Sequence, residues 1–174
     1  MSSARLARIL EYLTLVILLA LPVVVVVRLV QVPPIPANAS LLYPQHAVAA
    51  ELGPVAFGLA LLTSAIVLVL IAVALLTLWR LLTTIRRGAA LTLTAARQMR
   101  RFGVCLLVLA AVMPVMQMAQ SVLLSFAAPE GERQVSLLIG SSEIGFLLAG
   151  GVMTLVGWAM ADAARIAEEN RGFV

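Results

Sequence analysis

The chain is poor in the residues from which most catalytic and metal sites are built. It contains no lysine, one cysteine and one histidine among 174 residues, and only 11% of its residues are charged. A single cysteine excludes an internal disulfide and a zinc site built on several cysteines. Cys105 lies in an apolar stretch, where a thiol usually packs as a small hydrophobic side chain. His46 has no acid or cysteine beside it in the sequence, so we expect a solvated histidine, no enzymatic activity and no cofactor.

Charged residues are too few for a water-soluble domain. Hydrophobic residues make up 63% of the chain, and soluble domains average about 25% charged residues. Helices of about 20 apolar residues cross the hydrocarbon core of a membrane. Backbone polar groups cannot stay unpaired in lipid, and the alternating pattern of a membrane β-barrel is absent. The sequence therefore predicts one all-α domain, 1–174, a bundle of four transmembrane helices at about 10–30, 55–79, 102–127 and 138–161.

The first apolar stretch has a second interpretation. Arg5 and Arg8 before it resemble the start of a secretory signal peptide, and the small residues 37–39 resemble a cleavage site. The apolar run is longer than the usual core of a signal peptide, and Arg28 interrupts the approach to the cleavage site. We therefore favour a retained membrane helix, bent at Pro22.

The distribution of arginine predicts the orientation. With both termini inside, ten of the twelve arginines fall on the cytoplasmic side, and only Arg28 and Arg133 remain outside. Positive residues near membrane-spanning segments are retained in the cytoplasm. We therefore predict a multi-pass protein of the bacterial inner membrane with both termini in the cytoplasm. The densest arginine group lies between the second and third stretches and comprises Arg80, Arg86, Arg87, Arg97, Arg100 and Arg101.

The segment that carries this arginine group is predicted to be helical. The second helix can continue past the membrane, Gly88 suits the left-handed residue just beyond a helix end, and Thr92 can cap the third helix. Residues 80–101 would then form a basic helical hairpin that projects into the cytoplasm. The fourth helix is predicted to continue into a cytoplasmic end and tail, 162–174, so that helices two, three and four all extend beyond the membrane.

The outer connection is rich in proline. It runs from Gln31 to Leu52, and proline disfavours helix and stiffens an extended backbone. We therefore predict an extended, stiff path across the outer surface. Its prolines are Pro33, Pro34, Pro36 and Pro44.

Two stretches carry a family pattern. The C-terminal one is a helix end with alanine and an aliphatic residue, then Glu-Asn at 169–170, then a short tail that closes on Val174. Both stretches resemble the bacterial membrane protein family catalogued as domain of unknown function 2975. The resemblance is close over about the last 100 residues and extends over the first 50 only in hydropathy. The central stretch comprises Leu81, Leu82, Arg86, Gly88, Leu91, Thr92 and the run Met99-Arg100-Arg101-Phe102-Gly103.

The resemblance implies four membrane helices and no known catalytic activity. Members of the family are often encoded beside a very small helix-turn-helix regulator, which implies a membrane partner for a transcription factor. The tail of this chain departs from the usual ending of an acidic residue, Leu, Thr and Val, because it has Arg171, Gly172 and Phe173 instead.

Two amides and one carboxylate within the apolar stretches are candidate functional groups. Gln117 and Gln120 lie in the third, where an amide more often bonds a neighbouring helix than a substrate. Glu143 lies about one turn inside the fourth stretch, counted back over about 20 residues. A buried carboxylate is a functional candidate by default. The alternative, which we favour, is an acid at the outer surface paired with Arg28 or Arg133.

The third stretch also holds three methionines around Pro114. Thioether sulfur suits Cu(I). Met113 and Met116 share a helix face, however, and Met118 points elsewhere. We therefore favour flexible packing and predict no bound metal.

The fourth stretch contains a stripe of small residues at steps of four and three. Such a stripe allows helix backbones to approach closely. Packing within the bundle is favoured over a homodimer seam. The stripe comprises Gly150, Thr154, Gly157, Ala161 and Ala164.

Two classes of function remain. The first is a non-enzymatic membrane adaptor or regulator that binds a cytoplasmic protein, such as a small helix-turn-helix regulator. Its contact residues would be Arg86, Arg87, Arg97, Arg100, Arg101, Glu168, Glu169, Asn170, Phe173 and Val174. The second is a small transporter or channel subunit, acting as an oligomer, that uses Glu143, Gln117 and Gln120. The concentration of arginines on one side is also explained by membrane topology and by attraction to anionic lipid, without any protein partner. Direct binding of nucleic acid is not expected, because the arginines lack interleaved aromatic residues for stacking bases.

Overall fold

The structure is a computed structural model that describes residues 3–46, 48–49, 52–89, 92–125, 135 and 140–171. Every regular element among these residues is a helix, and four of the helices are long and apolar enough to cross a membrane. This confirms the predicted all-helical chain with four membrane-compatible helices. The elements are α1 (Ser3–Gln31), a 3₁₀ helix (Pro36–Asn38), α2 (Ala39–Leu42), α3 (Pro54–Arg86), α4 (Leu93–Ser125) and α5 (Ser141–Arg171).

The turn between α3 and α4 follows from its local sequence. Gly88 has a φ of 79°, the left-handed conformation that costs glycine little. The amide of Gly88 donates to the carbonyl of Ile85, and that of Ala89 donates to the carbonyl of Thr84. These two bonds close the helix end as a Schellman motif. On the other side, the amide of Ala95 donates to the Thr92 hydroxyl over 3.3 Å, so both the predicted helix end and the predicted cap are confirmed.

The long helices pack in chain order. The most extensive contact joins α4 and α5, followed by that between α3 and α4 and that between α1 and α3. Neighbouring helices are antiparallel. We call the end with the α3–α4 turn and the start of α1 the hairpin end, and the end with residues 31–53 the loop end. A closed ring of helices is not formed by the described residues, because α1 has its extensive contact with α3 alone.

Glycine sets the spacing between α4 and α5. A Cβ atom on Gly103 would lie 2.5 Å from Thr154 Oγ1 and 2.8 Å from the carbonyl oxygen of Gly150. A Cβ on Gly150 would lie 2.8 Å from the carbonyl oxygen of Gly103, and one on Gly157 would lie 2.8 Å from the backbone nitrogen of Arg100. The two backbones are therefore in contact, with no room for a side chain at these positions.

The proline-rich connection at the loop end is not the extended path that we predicted. It contains the 3₁₀ helix and α2, and Ala39 and Tyr43 are buried in a cluster with Phe57 and Leu124. The prolines did not prevent this, because Pro36 occupies the first position of its helix, where no backbone N–H is needed. The amide of Ala49 also donates to the carbonyl of Leu124 over 2.9 Å. The connection is thus fastened to the ends of α3 and α4.

Candidate functional site

The hairpin end carries a dense group of exposed arginines. Arg86 and Arg87 lie at the end of α3, and Arg97, Arg100 and Arg101 lie in the first three turns of α4. All five are exposed. Within the described part of the chain, only Arg86 has a carboxylate within 4 Å. The remaining four arginines have no carboxylate within 4 Å among the residues that the structure describes, and they are exposed.

The partner of Arg86 is Glu11 on α1. The Oε2 atom of Glu11 lies 2.9 Å from Arg86 Nε. The side chain of Glu11 is 10% exposed, and that of Arg86 is 37% exposed. Glu11 Oε2 has no hydrogen-bond partner among the residues described. The contact is therefore an ion pair in which the Arg86 N–H does not point at the carboxylate oxygen closely enough for a hydrogen bond. Glu11 shares its buried helix face with Ala7 and Thr14. The pair therefore joins the start of α1 to the end of α3.

Two of the exposed arginines share a small hollow on α4. Arg97 and Arg101 line a space of about 150 Å³ together with Thr94 and Gln98. Arg97 Nε donates to the carbonyl oxygen of Leu93 over 3.2 Å, which fixes the direction of its guanidinium. The geometry brings these two arginines together with two uncharged polar side chains and leaves Arg87 and Arg100 apart from them.

The small-residue stripe of α5 faces α4 within the same chain. Gly150 lies against Gly103 and Leu107, and Gly157 lies against Arg100 and Ala96. Thr154 Oγ1 donates to the carbonyl of Gly150 over 2.7 Å, and this satisfies its hydroxyl inside the helix. Ala161 is half-buried further along the helix.

A second cluster of polar side chains lies at the loop end, where the loop contacts α3 and α4. Ser64 Oγ donates to the carbonyl of Ala60 over 3.2 Å, so its single proton is used. Gln120 Nε2 then donates to Ser64 Oγ over 3.0 Å, and Tyr43 contributes its hydroxyl at 3.0 Å. One serine thus joins three elements. Burial raises the pKa of Tyr43, and its bond with Ser64 opposes that shift.

His46 belongs to the same region and contradicts the expectation of a solvated side chain. It is only 9% exposed, and its ring centroid lies 6.5 Å from that of Tyr43. Neither ring nitrogen has a hydrogen-bond partner within the described chain. Burial lowers the pKa of His46, and the neighbouring Gln120 amide opposes the shift. This burial could not be predicted from neighbouring residues, because it depends on the loop folding back over α3 and α4.

A pocket of about 230 Å³ lies beneath this loop between α3 and α4. The described residues of its lining are uncharged, and the pocket brings the two predicted glutamines together with two of the three methionines. Met118 is 39% exposed and does not line it. The lining residues are Gln45, Ser64, Val67, Met113, Met116, Gln117 and Gln120.

Glu143 lies in the first turn of α5, and the pairing with Arg28 that we predicted is absent. It is buried, and its Oε2 accepts hydrogen bonds from the amide of Gly140 over 2.8 Å and from Ser142 Oγ over 2.9 Å. A glutamate in the first turn that reaches back to the preceding amide forms half of a capping box. Arg28 is not its partner, and Arg133 lies outside the described residues. The carboxylate therefore closes the start of α5.

Glu143 does not join the two glutamines. It lines a separate pocket with Pro114 and other apolar residues of α4 and α5. Among the residues that the structure covers, no group of three or more His, Cys, Asp or Glu is placed to hold a metal ion. The predicted tail contacts lie outside the described part of the chain, namely the side chains of Glu168, Glu169 and Asn170 and the whole of Phe173 and Val174.

A scan against protein families matches residues 33–171 to the family described as "Protein of unknown function (DUF2975)". The match confirms the resemblance seen in the sequence and extends it to the loop end. No match was found among curated proteins or among solved structures.

Proposed function

The chain belongs to the family of unknown function DUF2975, and from its geometry we propose that it is a non-enzymatic membrane adaptor that binds an acidic soluble protein at its hairpin end. The observation that carries this proposal is the set of exposed arginines without a carboxylate partner among the described residues. An acidic partner would supply the missing negative charge, and complementary charge speeds association and selects partners.

The proposed orientation places the hairpin end in the cytoplasm of a bacterial cell. Ten of the twelve arginines then lie on the inner side, as the positive-inside tendency requires. The helices α3 and α4 have 33 residues each, whereas about 20 residues span the hydrocarbon core. The excess would project into the cytoplasm, as would the end of α5, and the four helices would complete a bundle within the bilayer.

A small helix-turn-helix regulator with an acidic face apart from its DNA-binding helix is the partner class that we propose first. The resemblance to a family often encoded beside such regulators supports this choice. The adaptor would hold the regulator at the membrane through Arg87 and Arg100, with further contacts from the tail residues Phe173 and Val174. Nucleic acid is not the proposed ligand, because the anionic membrane surface beside the hairpin would repel phosphates.

The experiment is co-purification in mild detergent at native expression level, followed by titration of the recovered protein against the purified chain. The charge reversal Arg87→Glu with Arg100→Glu should abolish binding. The matched reversal of Arg28 and Arg133 changes the net charge equally, and in the proposed orientation both arginines lie outside the cytoplasm, so binding should remain intact. Binding should weaken with salt, since the Debye length falls to about 3 Å at 1 M. Recovery of a partner that binds both double variants equally would contradict the proposal.

A small transporter or channel subunit is the second candidate, and it is favoured by the pocket between α3 and α4, whose described lining is uncharged. Glu143 and the two glutamines line different pockets, so a continuous path would need a second copy of the chain. Flux through reconstituted homo-oligomers that is abolished by Gln120→Leu would support this candidate over the adaptor.

A further inference from the structure

We propose that Thr94, Arg97, Gln98 and Arg101 form a binding site for a phosphodiester that carries a hydroxyl group, the chemistry of a phosphatidylglycerol headgroup. The four side chains line one hollow of about 150 Å³ on α4. They recur at steps of three, one and three residues, which places them along one side of the helix.

The two guanidinium groups are arranged for one anion. Residues four apart on a helix are neighbours, so Arg97 and Arg101 repel each other unless an anion lies between them. The bond from Arg97 Nε to Leu93 holds its guanidinium in place, and its terminal nitrogens make no hydrogen bond within the described residues. Arginine forks match the oxygens of a phosphate, and such charge-assisted bonds are about twice as strong as neutral ones.

The side chain of Gln98 indicates that the ligand carries a hydroxyl group. Its Oε1 is buried and has no hydrogen-bond partner in the described part of the chain. A buried acceptor without a partner indicates a missing donor. A phosphodiester cannot supply one, because its free oxygens are deprotonated acceptors, whereas a hydroxyl on the same headgroup can, once the Gln98 amide turns toward the hollow. Thr94 contributes a protein hydroxyl to the lining of the hollow.

The depth of the site fits a headgroup. If the hydrocarbon core begins near Phe102, Arg101 and Arg97 lie about 1.5 and 7.5 Å beyond it, at about 1.5 Å per residue. The headgroup layer adds about 5–7 Å on each side of the core. The proposal does not rest on the adaptor function, and it holds whichever leaflet the hairpin end faces.

The first test is a lipid titration of the delipidated full chain in detergent, read by native mass spectrometry. Arg97→Gln with Arg101→Gln should weaken phosphatidylglycerol binding about tenfold, since two charge-assisted contacts are lost. Arg87→Gln with Arg100→Gln removes the same charge from exposed positions outside the hollow, and it should change the affinity less than about twofold. All four arginines are exposed, so unchanged circular dichroism is expected for both variants. Equal losses in the two variants would overturn the proposal in favour of net charge alone.

The second test concerns the hydroxyl and needs no arginine variant. Phosphatidylmethanol has the same phosphodiester charge as phosphatidylglycerol but no hydroxyl. The wild-type chain should bind phosphatidylglycerol several-fold more tightly, in keeping with one hydrogen bond, and Gln98→Ala should remove that preference. Equal affinity of the wild-type chain for both lipids would overturn the assignment of a hydroxyl-bearing ligand.

The third test distinguishes the lipid from a soluble phosphate compound. Inorganic phosphate and glycerol phosphate, each at millimolar concentration, should not displace the bound lipid. Displacement by either would overturn the lipid as the ligand and assign the hollow to a free phosphate compound.

Discussion

The carboxylate of Glu11 lies 2.9 Å from Nε of Arg86, and this pair connects the start of α1 to the end of α3. Because α1 otherwise exposes most of its apolar side chains, the pair is a specific contact that fixes which face of α1 meets α3. It also removes one arginine from the group that is available to a partner. The surface that we assign to binding therefore begins at Arg87.

We expect substitutions of Arg86 and of Glu11 to lower the free energy of unfolding by different amounts. Arg86→Gln leaves the buried Glu11 carboxylate without a partner, whereas Glu11→Gln leaves an arginine that is partly solvated. Exposed pairs contribute about 0.2–1 kcal/mol and the loss of one partner of a buried pair costs about 3–5 kcal/mol, so about 1–2 kcal/mol is expected for Arg86→Gln and less for Glu11→Gln. Thermal unfolding of both variants and of the double variant measures this. Additive losses in the double variant would mean that the two side chains do not interact.

Adjacent glycines on α5 provide a matched test of helix packing. A Cβ on Gly150 would meet the backbone of α4 at 2.8 Å, whereas one on Gly151 would meet nothing within 4 Å. Gly150→Ala should therefore destabilise the protein by about 1–3 kcal/mol through overpacking. Gly151→Ala should be neutral or stabilising, because alanine is the better helix former by about 1 kcal/mol. Unfolding temperatures in one detergent compare them, and equal values would rule out the close α4–α5 contact.

Ser64 should contribute more to the loop end than its small size suggests. Ser64→Ala removes the bonds from Gln120 and Tyr43 together, with an expected cost of about 1–3 kcal/mol at about 0.5–1.5 kcal/mol per hydrogen bond. Thr63→Ala is the control, since Thr63 Oγ1 bonds the carbonyl of Ala60 in its own helix and no other described residue. Protease cleavage within residues 36–46 reports loop release. Similar cleavage rates in the two variants would contradict the claim that Ser64 holds the loop through its bonds with Tyr43 and Gln120.

The buried histidine predicts a pH dependence of the same loop. Burial holds the pKa of His46 below its ordinary value of 6.5, so the released loop binds a proton more readily than the docked loop. Docking is therefore at full strength above pH 6.5 and weakens as the pH falls through the lowered pKa. Hydrogen exchange of the loop amides should rise between pH 7.5 and 5, after correction for intrinsic rates. In His46→Phe this rise should disappear, and a rise of the same size would assign it to another group.

The sequence was sufficient to predict those structural features that depend on residues close together in the chain. Gly88 and Thr92 identified the end of one helix and the start of the next, because left-handed glycine and threonine caps act within a few residues. The capping role of Glu143 was also readable, as a glutamate three residues after Gly140, but we weighed only distant arginines as its partners. Its burial does not require a functional role.

Contacts between distant elements could not be read in the same way. The burial of His46 requires a proline-rich connection to fold back over α3 and α4, and the pairing of Glu11 with Arg86 requires the rotation of α1 about its axis. Neither follows from the periodicity of an almost uniformly apolar helix. The hollow at Arg97 and Arg101 was likewise hidden within a larger arginine group, since only side-chain geometry separates these two from Arg87 and Arg100.

The adaptor proposal is tested most directly by photo-crosslinking in living cells, with a photoreactive residue placed at position 87, 100 or 28. Positions 87 and 100 are exposed at the hairpin end, and position 28 is exposed at the loop end. We predict that 87 and 100 crosslink to the same acidic soluble protein and that 28 does not. Crosslinks from 87 and 100 to lipid alone, with no soluble protein recovered at either position, would contradict the proposal.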